Sequence, residues 1–114
     1  MGYIRHHAII VTTYGEWLDP AYNKAQEIFG ERLSPIMKSP FNGYSTFAIP
    51  PDGSKEGWDE SDVGDVRRKT FLDWLGTQGF EDGSSPYAWV EVQYGDDNGE
   101  TIITRHSDER LSRD

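Results

Sequence analysis

The chain has 114 residues, no cysteine, and a formal net charge of −9 at pH 7 from 20 acidic and 11 basic side chains. This length fits one domain, the missing thiols exclude disulfides and thiolate metal sites, and the negative charge argues against non-specific binding to a phosphate backbone. Because no apolar run approaches the roughly 20 residues of a membrane helix and residues 1–7 lack the apolar segment of a signal peptide, we expect a cytoplasmic protein without membrane contact.

The first half of the chain predicts a strand, a short helix and a hairpin. The run Ala8-Ile9-Ile10-Val11 is apolar on both alternating faces, which is typical of a central strand. Asp19 can cap a helix that starts at Pro20 and stops at Gly30, and Asn42-Gly43 is a strong turn signal. The predicted elements are a strand over residues 5–13, a helix over residues 20–30, and hairpin strands over residues 35–39 and 44–49.

Residues 50–76 predict a polar loop followed by a longer helix. The loop covers residues 50–60, and we expect its Trp58 to clamp it onto the body of the protein. Ser61 or Asp62 can cap the helix, which Gly76 ends. Its expected apolar face consists of Val63, Val66, Phe71, Trp74 and Leu75.

Residues 87–106 predict a second hairpin. The strand over residues 87–94 alternates, and we expect the small apolar set to face the helices and the larger, more polar set to face away from them. The first set is Ala88, Val90 and Val92, and the second is Tyr87, Trp89, Glu91 and Gln93. A turn at residues 96–99 leads to a strand over residues 100–106, and residues 107–114 read as a flexible charged tail.

The order β-α-β-β-α-β-β predicts an α+β fold of the ferredoxin-like β-α-β-β-α-β type with an extra C-terminal edge strand, in a single domain over residues 1–106. Right-handed crossovers predict that the first and third strands are adjacent and parallel. We expect the fourth strand to flank the first on its other side, antiparallel, and the fifth to pair with the fourth. Both helices then cover one sheet face and leave the other open.

Three histidines are the first candidates for chemistry, because imidazole can bind a metal or move a proton at neutral pH. His6 and His7 are adjacent on a strand and therefore point to opposite faces. The expected topology also separates His106 from both of them. We therefore favour structural roles and predict no metal and no cofactor, and keep His6, His7, Arg105 and His106 as an alternative ligand site.

A cluster of acids surrounds the start of the second helix. Its members are Glu56, Asp59, Glu60, Asp62 and Asp65. They do not follow the spacing of an EF-hand or of another cation-binding loop. Carboxylates in the first turn of a helix interact favourably with its dipole, so helix electrostatics and solubility are the preferred interpretation.

The open sheet face and the loop over residues 50–60 form the predicted binding site. Aromatic side chains on a solvated sheet face need a partner, and the acids of the loop can steer a basic one. The expected binding residues are Tyr87, Trp89, Glu91 and Gln93 on the sheet, and Glu56, Trp58, Asp59 and Glu60 on the loop. RNA is a poor candidate because the RNP1 pattern is absent and the charge has the wrong sign. The alternative is that loops or the C-terminal tail cover this face.

Several strings together resemble a family of small uncharacterised accessory proteins of tailed bacteriophages. They are Arg5-His6-His7-Ala8-Ile9, Asn42-Gly43-Tyr44, Pro51-Asp52-Gly53-Ser54-Lys55-Glu56-Gly57-Trp58, Trp89-Val90-Glu91-Val92-Gln93-Tyr94-Gly95 and Arg105-His106-Ser107-Asp108. The resemblance spans most of the chain. It implies a phage accessory protein that acts in the host cytoplasm.

Three functions fit these observations. The first is non-enzymatic binding of a host or phage protein, to counter host machinery or defence, with a homodimer left open. The second is binding of a small ligand or nucleotide signal, which needs a pocket where arginine and aromatic side chains converge. The third is a cofactor-independent enzyme like the dimeric ferredoxin-like monooxygenases, which needs an enclosed cavity with a buried histidine or tryptophan. Enzymatic function is the less favoured, because no nucleophile motif, P-loop or G-x-G-x-x-G is present.

Overall fold

A computed structural model describes residues 3–80, 82 and 84–110, with only the backbone of residues 109 and 110. Within these residues the chain forms five strands, two α-helices and two short 3-10 helices. In chain order they are β1 (His6–Tyr14), a 3-10 turn (Gly15–Trp17), α1 (Leu18–Phe29), β2 (Met37–Lys38), β3 (Tyr44–Ile49), α2 (Asp59–Gly76), β4 (Ala88–Tyr94), β5 (Ile102–His106) and a last 3-10 turn (Ser107–Arg110). The α+β class predicted from the sequence is confirmed.

The five strands form one antiparallel sheet in the order β2-β3-β1-β4-β5. As expected, β4 flanks β1 on the side away from β3, and β5 pairs with β4. The predicted parallel pairing of β1 with β3 is wrong, because Ile9 lies opposite Ile49 and Tyr14 opposite Tyr44 in an antiparallel register. A crossover makes β1 parallel to β2, and the β2–β3 hairpin then reverses the chain.

Both helices start earlier than their predicted caps. Trp17 is the N-cap of α1 and is already helical, because a 3-10 turn leads into the helix, so Asp19 lies in its first turn instead of capping it. Trp58, in an extended conformation, is the N-cap of α2. Ser61 is buried inside α2 and donates its hydroxyl to Glu56 at 3.2 Å, so it is not a cap either.

The hydrophobic core lies between the two helices and one face of the sheet. Phe71 of α2 is at its centre and makes an edge-to-face contact with Phe29 of α1, with ring centroids 5.8 Å apart. Trp74, predicted to be core, is only partly buried at the edge of this cluster. The fully or largely buried members are Ile9, Val11, Ala21, Ala25, Phe29, Phe47, Ile49, Phe71, Leu72, Leu75 and Tyr87.

The inner stripe of α2 differs from the predicted one in its first half. Val66 is 64% exposed and Val63 is exposed as well, so their assignment to the apolar face is wrong. The buried stripe instead begins with Ser61, Gly64 and Arg68, at helical spacing, before it becomes apolar. The N-terminal half of α2 therefore packs against polar groups, with Ser61 on Glu56 of the loop and Arg68 on Glu91 of β4.

The two faces of β4 are the reverse of the prediction. Residues directly opposite each other on neighbouring strands share a face, and buried Ile9 and Val11 lie opposite Glu91 and Trp89. The side chains that face the helices are therefore those of Tyr87, Trp89, Glu91 and Gln93. The side chains that face away from the helices are those of Ala88, Val90 and Val92. Alternation separates the two sets but does not say which one is inside.

The region after β5 begins as a turn that is attached to the sheet. Ser107 Oγ accepts a hydrogen bond from the Trp89 backbone N–H at 3.0 Å, and Ser107–Arg110 form the last 3-10 turn. Residues 111–114 of the predicted tail lie outside the described residues. Neither α-helix within the described ranges has the length and apolar character needed to cross a bilayer.

Candidate functional site

The sheet face turned away from the helices, called the open face from here on, is built by alternate residues of all five strands. Its members, read from the strand registers, are His6, Ala8, Ile10, Thr12 and Tyr14 of β1, Met37 of β2, Tyr44, Thr46 and Ala48 of β3, Ala88, Val90, Val92 and Tyr94 of β4, and Ile103 and His106 of β5. None of these side chains is an aspartate, glutamate, lysine or arginine. The face is therefore free of fixed charge on a chain whose net charge is −9.

The centre of the open face is aliphatic and accessible. Ile10 lies on the central strand, between Ala48 and Val90 on the neighbouring strands, and is 43% exposed. Ile103 on the edge strand is 61% exposed, and Met37 on the opposite edge is also exposed. Large apolar side chains thus remain in contact with water across the full width of the sheet.

Tyrosine and threonine side chains give this face some polar groups without charge. Tyr14 and Tyr44 lie opposite each other and make an edge-to-face contact, with ring centroids 6.0 Å apart. The hydroxyls of Thr12 and Thr46 are 2.9 Å apart and hydrogen-bond to each other. A shallow groove of about 240 Å³ at this end is bordered by Asp108, which places a charge at the rim.

The other end of the open face is tightly built. The rings of His6 and Tyr94 are in contact, with centroids 5.4 Å apart. Gly95 follows with φ of +77°, and a Cβ at this position would lie 2.7 Å from Cδ2 of His6. Glycine is therefore required here both for its backbone conformation and for the close approach of the imidazole.

The β4 residues expected to bind a partner are used within the protein. Glu91 is nearly buried, its carboxylate lies 3.4 Å from Nε of Arg68, and it accepts a hydrogen bond of 2.7 Å from Thr104. The Arg105 guanidinium lies over the Trp89 ring, 5.8 Å from its centroid. Tyr87 and Gln93 are also buried. The structure thus places these residues on the helix side, where Glu91 and Trp89 have partners within the protein.

The histidines are divided between the two faces. His6 and His106 belong to the open face, whereas His7 faces the helices, which confirms that His6 and His7 point in opposite directions. Arg105 also lies on the helix side, where it forms an ion pair of 3.0 Å with Asp73. The alternative ligand site of three histidines and Arg105 is therefore not brought together.

His7 takes part in a small polar cluster with the loop. Its Nε2 lies 3.3 Å from a carboxylate oxygen of Glu56, and Ser61 donates to the same oxygen at 3.2 Å. The carboxylate thus stands between hydroxyl and imidazole, whereas an activated serine needs the imidazole next to its hydroxyl. Among the residues that the structure describes, no group of three or more His, Cys, Asp or Glu is arranged to hold a metal ion.

A cleft of about 570 Å³ lies between the loop over residues 50–58 and the first turns of α2. Trp58, the residue expected to clamp the loop onto the body, lines it and is 45% exposed. The loop is also held by a backbone bridge between Ile4 and Lys55 and by a 2.9 Å hydrogen bond from the Glu56 N–H to the Tyr3 carbonyl. The remaining lining includes Arg32, Asp52, Ser54, Asp59, Glu60, Val63, Gly64 and Arg67.

Asp52 fixes the conformation of the loop beside this cleft. Its carboxylate accepts hydrogen bonds from the Ser54 backbone N–H at 2.8 Å and from the Ser54 hydroxyl at 2.6 Å. Partial burial raises the pKa of Asp52, but the Ser54 hydrogen bonds and the charges of Arg32 and Arg68 outweigh this and hold the pKa below its ordinary value. Asp52 is therefore ionised at neutral pH.

The loop and the open face do not form one site. Glu56 contacts His7 on the helix side, and the cleft with Trp58, Asp59 and Glu60 is formed against α2, on the same side. The open face lies across the sheet from them. The sequence prediction thus joined two regions that the fold separates.

No protein-family model, curated protein or solved structure matches this chain. The open-face residues Ile10, Tyr14, Met37, Tyr44 and Ile103 were not among the predicted site residues. The run Ala8–Val11 could have indicated them, because a central strand that is apolar on both faces requires a packing partner on each face of the sheet.

Proposed function

We propose that this protein acts by binding another protein through its open face and that it has no catalytic activity of its own. The observation that carries the proposal is a five-stranded sheet face without a single charged side chain on a protein of net charge −9. Contiguous apolar patches of this kind with a polar rim are typical of interaction surfaces. The cores of protein interfaces are likewise depleted of charged residues and enriched in aromatic ones.

The open face has the layout of such an interface. Ile10 and its neighbour Val90 form an aliphatic centre, and Tyr14, Tyr44 and Tyr94 lie toward the ends of the strands. Tyrosine is a frequent anchor of binding energy because it combines apolar area with a hydroxyl that can hydrogen-bond. A partner that covers this face would bury these side chains without desolvating a charge.

The resemblance to accessory proteins of tailed bacteriophages supplies a setting for this proposal. In that setting the protein acts in the host cytoplasm and the bound protein belongs to the host or to the phage, to counter host machinery or defence.

We also propose that β1 to β4 with both helices form a ferredoxin-like core to which β5 is added. Its support is that β1 lies between β3 and β4, antiparallel to both, with both helices packed on one face.

In-cell photo-crosslinking tests whether the open face binds a protein. A benzoylphenylalanine at position 44, in the open face, should form a crosslinked adduct, and the same group at position 66, on the exposed side of α2, should not. Ile10→Lys, combined with the crosslinker at position 44, should abolish the adduct because the lysine places a charge at the centre of the interface. Val66→Lys, combined with the same crosslinker, should leave the adduct intact. No adduct from position 44, or one that survives Ile10→Lys, would contradict the proposal.

The cleft supports a second candidate function, the binding of a small anionic ligand such as a nucleotide signal. The specific observation is that Arg32, Arg67 and the exposed Trp58 ring line it, so a phosphate must lie next to these guanidinium groups and away from the carboxylates of Asp52, Asp59 and Glu60 in the same lining. Arg67 has no ion pair with any described residue, and guanidinium groups and aromatic rings together can hold a phosphate and a base. Cyclic dinucleotides should then quench the tryptophan fluorescence of the protein. Arg67→Ala should weaken this quenching, whereas Ile10→Lys should leave the quenching unchanged. Absence of binding in calorimetry would rule this candidate out.

A further inference from the structure

We infer that the occupant of the open face is a second copy of this chain, so that the working form is a homodimer whose two sheets pack face to face. This inference rests on the proposed function, because it names the partner of the same face. Two sheets that pack in this way lie about 10 Å apart, with their side chains interdigitated.

Charge is the first argument for a second copy. An acidic or basic partner would find no complementary charge on the open face, whose strand residues carry none. A neutral apolar surface matches another surface of the same character, and the open face is such a surface. A two-fold axis through Ile10 would therefore give a self-complementary interface.

The position of the acids is the second argument. The net charge of −9 makes two copies repel each other, and this repulsion is smallest when the acidic surfaces are far apart. Asp59, Glu60 and the rest of the acidic start of α2 lie on the helix side of the sheet. Face-to-face packing of the open faces places these acids at the two outer ends of the dimer. Contact through the helix side would instead bring them together.

The area of the face is the third argument. Five strands about 4.8 Å apart, whose lengths range from two residues in β2 to nine in β1 and average about six, cover roughly the area of a flat footprint of 24 Å by 20 Å. Two such footprints have a combined area of about 960 Å². Side chains that project from the sheet, such as Ile10 and Tyr44, add accessible surface to this flat estimate. Complete coverage of both faces would therefore bury an area on the order of the roughly 1,000 Å² that a specific interface needs.

Light scattering coupled to size-exclusion chromatography tests the inference on the purified full chain at micromolar concentration. The expected mass is twice the 13.0 kDa of one chain. Ile10→Lys should halve it, and the matched variant Val66→Lys should not. Ile103→Lys, at an exposed edge position, is the second disrupting variant if Ile10→Lys fails to fold. Added salt should strengthen the dimer, because it screens the repulsion between two acidic chains without weakening an uncharged interface.

The possible outcomes separate this inference from the proposed function. A dimer that Ile10→Lys or Ile103→Lys dissociates supports both. A monomer at all concentrations, together with a crosslinked adduct from position 44 to a different protein, overturns the homodimer and leaves the proposed function standing. A monomer without any adduct overturns both. A dimer that neither open-face variant weakens uses another surface and also overturns the inference.

Discussion

Nε of Arg68, on α2, lies 3.4 Å from a carboxylate oxygen of Glu91, on β4, and both side chains are nearly buried between the helix and the sheet. Thr104 donates to the other carboxylate oxygen of Glu91, and Asp65 pairs with Arg68 from the preceding helical turn. This cluster accounts for the orientation of β4. A glutamate can face the helices because an arginine at an inward position of α2 compensates its charge.

Arg68→Met should destabilise the fold by about 3–5 kcal/mol, because it leaves the carboxylate of Glu91 buried without its cation. The double variant Arg68→Met with Glu91→Met should recover much of this loss, since neither charge then remains. Urea denaturation of the parent, both single variants and the double variant completes the thermodynamic cycle. Additive single-variant effects would mean that the two side chains are not coupled.

The order of the elements and the α+β class could be predicted from the sequence, because local signals encode them. Gly30 ends α1 with a positive φ, and Asn42-Gly43, both with positive φ, turn the chain into β3. The orientation of β4 could not be predicted in this way. Alternation fixes which residues share a face, but the choice of the inner face depends on Arg68, which is far away in the sequence.

The candidate site was therefore predicted only in its general nature. An open sheet face exists, as expected, yet its β4 residues, Ala88, Val90 and Val92, are those that the pattern of β4 assigned to the core. The helix-side position of Glu91 looks unfavourable in isolation, because a buried carboxylate without a partner is costly. The apolar run Ala8–Val11 correctly indicates that the open face is apolar at its centre, because alternation along the strand places Ile10 on the face opposite Ile9.

Gly95→Ala should destabilise the protein more than Gly99→Ala. Both glycines have positive φ, of +77° and +73°, so both substitutions carry similar backbone strain. Only at position 95 does the new Cβ also meet His6, at 2.7 Å, whereas nothing lies within 4 Å at position 99. We expect about 1–2 kcal/mol for Gly99→Ala and about 1–3 kcal/mol more for Gly95→Ala, from thermal melts. Adding His6→Ala should remove most of the difference, and an unchanged difference would refute the contact.

Val66→Ala distinguishes the observed inner stripe of α2 from the one predicted from the sequence, and Phe71→Ala, at a position common to both stripes, is the reference for a buried residue. Phe71 is fully buried among other aromatic rings, so its truncation should cost about 3–5 kcal/mol. Val66 is 64% exposed, so its truncation should change the free energy of unfolding by less than about 0.5 kcal/mol. Chemical denaturation measures both. A loss of more than 1.5 kcal/mol for Val66→Ala, on the order of a core truncation, would restore the predicted stripe.

Tyr87→Phe should lower stability at neutral pH and change how stability responds to alkaline pH. Tyr87 is 3% exposed, and its hydroxyl donates a 2.7 Å hydrogen bond to the carbonyl of Trp17, so its loss should cost about 1 kcal/mol. Burial raises the pKa of Tyr87 above its ordinary value of 10.0, so the folded protein retains this proton where the unfolded chain releases it. Its contribution to stability is therefore complete below pH 10 and is lost as the pH rises above that value.

Urea denaturation of the parent and of Tyr87→Phe between pH 7 and about pH 11 separates these two effects. The parent should lose stability more steeply above pH 10 than the variant, because only the parent must ionise a buried phenol there on unfolding. Tyr3→Phe is the matched control, since it removes the same hydroxyl from an exposed tyrosine. Equal slopes for the parent and Tyr87→Phe would mean that the Tyr87 hydroxyl is not held inside the core.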